Sequence, residues 1–253
     1  MTLTAENYHS PVANRAYMGS TQFKQFRKCE AAAMAVLNGE WTDPESIALL
    51  VGSYVDAHFS KTLDLFCAKN PQIFKRDGNL KSDYEHANYI IERIERDKCF
   101  MASLSGQKQV IMTGEIGGVQ FKVKSDSLLP DRIVDLKIMR DMADVYDNET
   151  REWKSFWRAW EYDIQGAIYR EIVRQNIRKL LPFGLAVATK EKPEPDLALL
   201  TLPAAALDVA LEDVQINAPY YDGIKKGLYP PVRCEKCDYC RSTKVLTGWV
   251  EVI

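Results

Sequence analysis

No stretch of this 253-residue chain approaches 18 consecutive apolar residues, so no membrane-crossing helix is expected. An excess of basic charge is also missing. Lys and Arg number 33 against 35 Asp and Glu, a net charge of −2. This excludes bulk electrostatic attraction to nucleic acid, and a chain with this balance needs a local basic groove if it handles DNA. Histidine is scarce, and His9 and His86 stand in no context that suggests a role. The opening residues, MTLTAENYHSP, lack the basic-then-apolar order of a secretory leader, so the expected compartment is the cytoplasm. Six cysteines in that compartment read as thiols or metal ligands, not disulfides. Internal repeats and low-complexity segments are absent. What remains is ordinary globular composition, 46% apolar and 27% charged, long enough for one domain, 1–253, with a full core.

The most informative stretch is 117–138, GGVQFKVKSDSLLPDRIVDLKI. Val119, Phe121 and Val123 alternate with Gln120, Lys122 and Lys124, the period of a half-buried strand. A second strand follows a short turn, with Val134, Leu136 and Ile138 on one face and Asp135 and Lys137 on the other. Asp126 continues the polar set at the end of the first strand. Two carboxylates and a lysine are thus expected to converge from neighbouring strands. Close carboxylates repel and are costly to bury unless a cation joins them. The guest that suits oxygen ligands is a hard divalent ion, Mg²⁺ or Mn²⁺. A lysine beside it can orient and help deprotonate an activated water. A surface hairpin with ordinary charges is the other reading of the same residues.

Around this hairpin the sequence alternates helices and strands. Residues 20–37 read as one helix, capped at Ser20 and closed by Asn38-Gly39. A second helix is expected to start at Asp43-Pro44. A strand over 107–112 is expected to turn at Thr113-Gly114, which leaves Glu115 at the start of the hairpin. Trp153, Phe156, Trp157 and Trp160 are spaced as one helical face, packed in the core or stacking on an unpaired base beside Lys154 and Arg158. The next helix carries Tyr162, Gln165 and Tyr169 along one face and Ile164, Ile168 and Ile172 along an adjacent one. The apolar runs 183–189 and 197–202 are expected to be strands buried on both faces, and Pro203 to open a helix reaching about Ile224. Near the C-terminus, Cys234-x2-Cys237-x2-Cys240 has gaps that let thiolates close on one metal or cluster.

Together these residues resemble the PD-(D/E)xK nucleases. The D-x8-D-x-K pattern of Asp126, Asp135 and Lys137 matches that core, with Ser125 where a proline usually precedes the first acid. The RecE-like (exonuclease VIII) phage-type branch is the nearer match in pattern, and the similarity runs from about Ser20 to Cys240. The resemblance implies an α/β fold with a restriction-endonuclease-like core, a central mixed β-sheet flanked by helices. Its parts would be a helical N-terminal region over 1–105, the catalytic sheet and helix over 106–202, and a C-terminal helix with a cysteine-containing tail over 203–253. It also implies that His58, in Gly52-x5-His58, reaches the metal. Gln165-x3-Tyr169 resembles the family's Q-x-x-x-Y helix, with Gln165 by the catalytic centre and Tyr169, with Tyr162 on the same face, near the DNA. Glu115 stands where relatives carry a Glu near the active site, an ordinary charged turn residue being the alternative. Cys29 falls at the early cysteine of RecB-like nucleases. With Cys234, Cys237 and Cys240 it would hold a [4Fe–4S] cluster that ties the chain ends together. Zinc bound with Cys29, or plain reduced thiols, are the alternatives.

The activity so implied is Mg²⁺- or Mn²⁺-dependent phosphodiester hydrolysis. One strand of linear double-stranded DNA would be digested 5′ to 3′ from its end, and the 3′ single strand passed to a single-strand annealing protein in phage-type recombination. Asp126 and Asp135 would hold the metal with His58 and the Leu136 backbone carbonyl. Lys137 would position the attacking water with help from Gln165. Relatives form rings around DNA, so a homo-oligomeric ring is expected. The same pattern also fits an endonuclease, a single-strand exonuclease, or a protein that binds DNA or a partner without cutting.

Overall fold

The computed structural model describes residues 2–42 and 46–249. A first short helix, α1 (Pro11–Ala16), is opened by the Ser10 hydroxyl, which accepts the Ala13 N–H. The single helix expected over 20–37 is in fact two, α2 (Ser20–Lys28) and α3 (Glu30–Asn38). Cys29 between them is extended, at φ −164° and ψ 109°. The helix start expected at Asp43-Pro44 lies outside the described residues. From Ser46 onward the chain forms α4 (Ile47–Phe59), capped by the Ser46 hydroxyl. Three further helices follow: α5 (Leu63–Lys69), α6 (Ser82–Glu95) and α7 (Lys98–Ser103). Among the described residues no helix is long and apolar enough to cross a membrane.

The central hairpin is formed by β1 (Gln107–Ile116) and β2 (Val119–Leu128). Its turn is not at Gly114, as expected, but at Gly117-Gly118. Both of those glycines have positive φ, 59° and 78°, as a two-residue hairpin loop requires. Gly114 serves a different purpose. A Cβ there would collide with the Gln175 side chain. That side chain accepts the Glu115 N–H and donates to the Glu115 carbonyl.

Next come β3 (Ile133–Met139), then a small hairpin of β4 (Val145–Asp147) and β5 (Glu152–Lys154) and the short α8 (Phe156–Ala159). The long α9 (Tyr162–Ile177) carries the chain across to β6 (Phe183–Thr189) and β7 (Leu197–Thr201). Helix α10 (Ala204–Lys225) follows Pro203, and α11 (Asp238–Ser242) lies in the cysteine-containing tail. The sheet order is β1-β2-β3-β6-β7, with β3 and β6 parallel and the other neighbours antiparallel. The fold is therefore α/β, a central mixed sheet flanked by helices, as the sequence implied. β6 is buried along its whole length. β7 is not, because it is the edge strand and leaves Leu199 exposed.

Two cores result. Helices α2, α9 and α10 pack with Phe121, Val123, Ile133, Phe183 and Leu185. Helices α4, α6 and α7 pack with Val134, Leu136, Ala186 and Ala188. The period of two along β3 sends Ile133 to the first core and Val134 and Leu136 to the second.

Candidate active site

Strand register sets the first contacts. β2 and β3 pair at Ser127–Val134 and Leu128–Ile133 and then part. Continued, that register sets Asp126 across from Asp135. Where the strands part, the Asp126 carboxylate fills the gap, and its Oδ2 accepts the Leu136 N–H at 2.9 Å. A strand residue's N–H and C=O leave toward the same edge, so the Leu136 carbonyl faces the same gap. Alternation turns Asp135 and Lys137 away from the Val134–Leu136 face, toward α9. Asp135 is buried and its Oδ1 accepts from Gln165 Nε2 at 2.7 Å. Its Oδ2 is 2.6 Å from Lys137 Nζ yet has no aligned hydrogen-bond donor. Lys137 Nζ also lies 4.9 Å from the centre of the Tyr162 ring. The structure thus brings together Asp126, Asp135, Lys137, Gln165 and Tyr162.

Two expected members stand elsewhere, and a third lies underneath the site. His58 Nε2 is 2.8 Å from Glu95 Oε1 on α6, turned away from the carboxylates. Two residues along a helix are about 200° apart, and it is Asp56 that faces the site. Asp56 is coupled electrostatically to Asp126, Asp135, Lys124 and Lys137, and it accepts from the Ser60 hydroxyl. Glu115 lies near the opposite end of the hairpin, paired across from Gln120, about 20 Å of extended strand from Asp126. Tyr169 is buried beneath the carboxylates, and its hydroxyl donates to the Lys124 carbonyl at 3.1 Å, so it braces β2 and presents nothing to a bound strand.

Besides Asp56, sequence reasoning missed Gln109. This residue lies in β1 with φ 51°, directly across from Asp126 between the partners Lys108–Ser127 and Val110–Ser125. Its Nε2 donates to Ser60 Oγ at 3.0 Å and lies 3.4 Å from Asp126 Oδ1. A signal for Asp56 was present. Gly52 of α4 lies over Ile138 of β3, and Asp56 is one helical turn further on. The left-handed backbone at Gln109 left no such trace.

Burial, then Asp135 and Asp56, push the Asp126 carboxyl up to about 8. Burial also raises Asp56, with Asp135 adding to it. Burial pulls the Lys137 ammonium down, but Asp135 first, with Tyr162 and Asp126, more than offsets this and leaves it above the usual lysine value. Lys24 and Lys108 stand near enough to the carboxylates to feel their charge, and Lys124 near enough to lower Asp56. They form the local basic rim that a net-acidic chain requires.

This donor set fits a hard divalent cation. Three carboxylates converge here, Asp135 Oδ2 lacks an aligned donor, and the Leu136 carbonyl faces the gap. Substituting Asp56 by Asn is expected to weaken Mn²⁺ binding at least about tenfold in calorimetry, and His58→Ala to leave it unchanged. The opposite ranking would return the metal to the histidine.

The aromatic stretch is not one helical face. Trp153 is on β5, 71% exposed, against the edge of Tyr146. Phe156 is buried, Trp157 packs on the core, and Trp160 is 56% exposed. Beside them is a groove of about 1200 Å³ lined by Arg27, Lys154 and Arg158 but also by Asp147, Glu152, Glu161, Asp163 and Asp213. That acidic lining makes the lysine rim, not this groove, the better phosphate surface. The four tail-and-helix cysteines also come together, Cys29, Cys234, Cys237 and Cys240, at a place of their own between α3 and α11.

Residues 19–243 match the family described as a PDDEXK-like domain of unknown function (DUF3799). The crystal structure of a putative exonuclease from Eubacterium rectale superposes with a TM-score of 0.95 at 46% identity, covering 99% of this chain and 97% of that one. A second solved structure, SSO0001, matches at a TM-score of 0.28 and 11% identity over 87% of this chain and 91% of that one, too low to carry an argument. No curated protein matches.

Proposed function

Since this chain belongs to the DUF3799 family of PDDEXK-like domains, we propose that it is a divalent-metal-dependent exodeoxyribonuclease of the RecE-like type. In this reading it degrades one strand of linear duplex DNA from the 5′ end and leaves a 3′ single strand suited to an annealing protein. The observation that carries the nuclease chemistry is Asp135, buried and shared between Gln165 and Lys137, across from an Asp126 held up to about 8. End-dependence is supported by the Eubacterium rectale protein's description as an exonuclease. Polarity and duplex preference rest on the resemblance of the motifs.

A cation held by Asp56, Asp126, Asp135 and the Leu136 carbonyl would supply a Lewis acid for the attacking water and the scissile phosphate. Lys137 keeps its proton, because Asp135 holds it above the usual lysine value. It therefore serves as a cationic donor that positions the water and the phosphate oxygens. Gln165 fixes the rotamer of Asp135, and the Tyr162 ring carries the lysine. Trp160, exposed two residues from Tyr162, would stack on a terminal base.

The test is digestion of linear duplex labelled at either end, and of a covalently closed circle, with Mg²⁺ or Mn²⁺. The expected result is early mononucleotide release from the 5′ label, late release from the 3′ label, and an intact circle. Cutting of the circle would make the protein an endonuclease. No cutting of any substrate with either metal would remove the catalytic reading.

A further inference from the structure

The cysteine cluster has a geometry of its own. The Sγ atoms of Cys29, Cys234, Cys237 and Cys240 all lie within 4.8 Å of one another. Cys29 to Cys240 is 3.6 Å and Cys234 to Cys240 is 4.0 Å. A tetrahedral zinc with Zn–S bonds of about 2.3 Å spaces its sulfurs by about 3.8 Å, the tetrahedral edge being ~1.63 bond lengths. A four-iron cluster spreads its thiolates wider, because each binds a different iron.

The backbone is arranged for thiolates as well. The N–H groups of Lys236 and Cys237 donate to Cys234 Sγ at 3.4 and 3.3 Å, and the Cys240 N–H donates to Cys237 Sγ at 3.4 Å. Such donors fix a ligand sulfur and partly neutralise it. The Arg233 guanidinium donates to the Cys240 carbonyl at 2.6 Å and so braces the same loop. Cys29 joins from the far end of the chain. Its extended backbone breaks what would otherwise be a continuous helix, and it sits buried against Cys240. Hydrogen bonds flank the cluster, with the Ala31 N–H donating to the Val232 carbonyl and the Val232 N–H to Glu30 Oε2.

We propose that these four cysteines form a structural zinc site, one ion bound by four thiolates, and not the [4Fe–4S] site that the spacing resembles. The site clasps the C-terminal tail onto the α2–α3 junction. Helix α2 carries Lys24 to the edge of the carboxylate cluster, so the clasp steadies that rim from behind. The proposal does not rest on the nuclease reading.

The test is elemental analysis of the whole protein, purified anaerobically from cells supplied with both iron and zinc. The expected result is one zinc per chain, no acid-labile sulfide and no iron–sulfur absorbance. Replacement by cobalt should give the visible bands of tetrahedral cobalt–thiolate coordination. Cys237→Ser should bind substoichiometric zinc, whereas Cys67→Ser and Cys99→Ser should bind a full equivalent. Chelation should lower the thermal midpoint, and added zinc should restore it. Iron with acid-labile sulfide would overturn the proposal in favour of a cluster. Four titratable thiols with neither metal would overturn it in favour of no site.

Discussion

Replacing Asp126 by Asn will abolish metal-supported cleavage while making the metal-free protein more stable. The two effects have one cause. Burial first, then Asp135 and Asp56, hold the Asp126 carboxyl at about 8 in the folded chain. The unfolded chain releases the same proton near the ordinary carboxylate value of about 4. Between those values the folded state binds more protons than the unfolded one. Metal-free stability therefore falls as pH rises from about 4 to about 8, and the loss is complete above that. Asparagine cannot ionise, so it removes this slope. It keeps an oxygen for the Leu136 N–H and disturbs the long Gln109 contact only slightly. The variant should melt at least about 3 °C above wild type at pH 8 without metal, the shift expected for roughly 1 kcal/mol in a chain of this size. The difference should shrink toward pH 4. With metal the ranking reverses, since wild type gains binding energy that the variant lacks. Loss of transition-state charge stabilisation of about 4 kcal/mol corresponds to at least about 10³-fold in rate. Calorimetry in buffers of different ionisation enthalpy supplies the independent readout. Wild type at pH 7 should release close to one proton per metal bound, and Asp126→Asn should release none. A variant that melts below wild type at every pH would show that Asp126 is an ordinary structural carboxylate.

Why these residues were legible, and others were not, follows from what spacing encodes. A period of two converts positions 135 and 137 into one side of a strand, and a step of three along α9 puts Tyr162 and Gln165 over the same patch. Those relations are local, so the convergence around Asp135 could be read directly. Asp56 and His58 are two residues apart on α4, and the choice between them depends on how that helix is rotated about its axis. Tertiary contact decides this, through the approach of Gly52 to Ile138 and the capture of His58 by Glu95. A turn at Gly114 is the local expectation because glycine is the usual turn residue. The glycine's real cause is the crossing of α9, which no local pattern announces. The break at Cys29 is of the same kind. The helix-forming residues on both sides give no reason to stop, and at the break Cys29 meets three sulfurs roughly two hundred positions away in the chain. β7 was misjudged because an apolar run does not distinguish a central strand from an edge covered on one side.

Lys137→Met is the second large effect, and it should differ from Asp126→Asn in what it spares. The lysine is the only cation within ion-pair reach of Asp135 among the described residues, at 2.6 Å. A metal must share that carboxylate with it. Deleting the ammonium removes a competitor, so Mn²⁺ affinity should be unchanged or tighter, whereas affinity in Asp126→Asn collapses. Turnover should still fall by about 10²–10³-fold, the range for losing one preorganised donor aimed at developing charge. Arginine should recover only part of this loss, because its planar fork cannot occupy the space of an ammonium held between Asp135 and the Tyr162 ring. The pH profiles add a signature that a packing role would not move. Lys137 normally lowers the proton affinity of Asp126. At limiting metal, the rise of wild-type activity with pH should be centred near 8, and residual activity of Lys137→Met should rise at higher pH. Wild type should show no fall between pH 7 and 9 from loss of the lysine proton, because Asp135 keeps that proton bound. A Lys137→Met protein whose metal affinity drops in step with its turnover would place the lysine among the groups that build the metal site, and its role as the positioning cation would be lost.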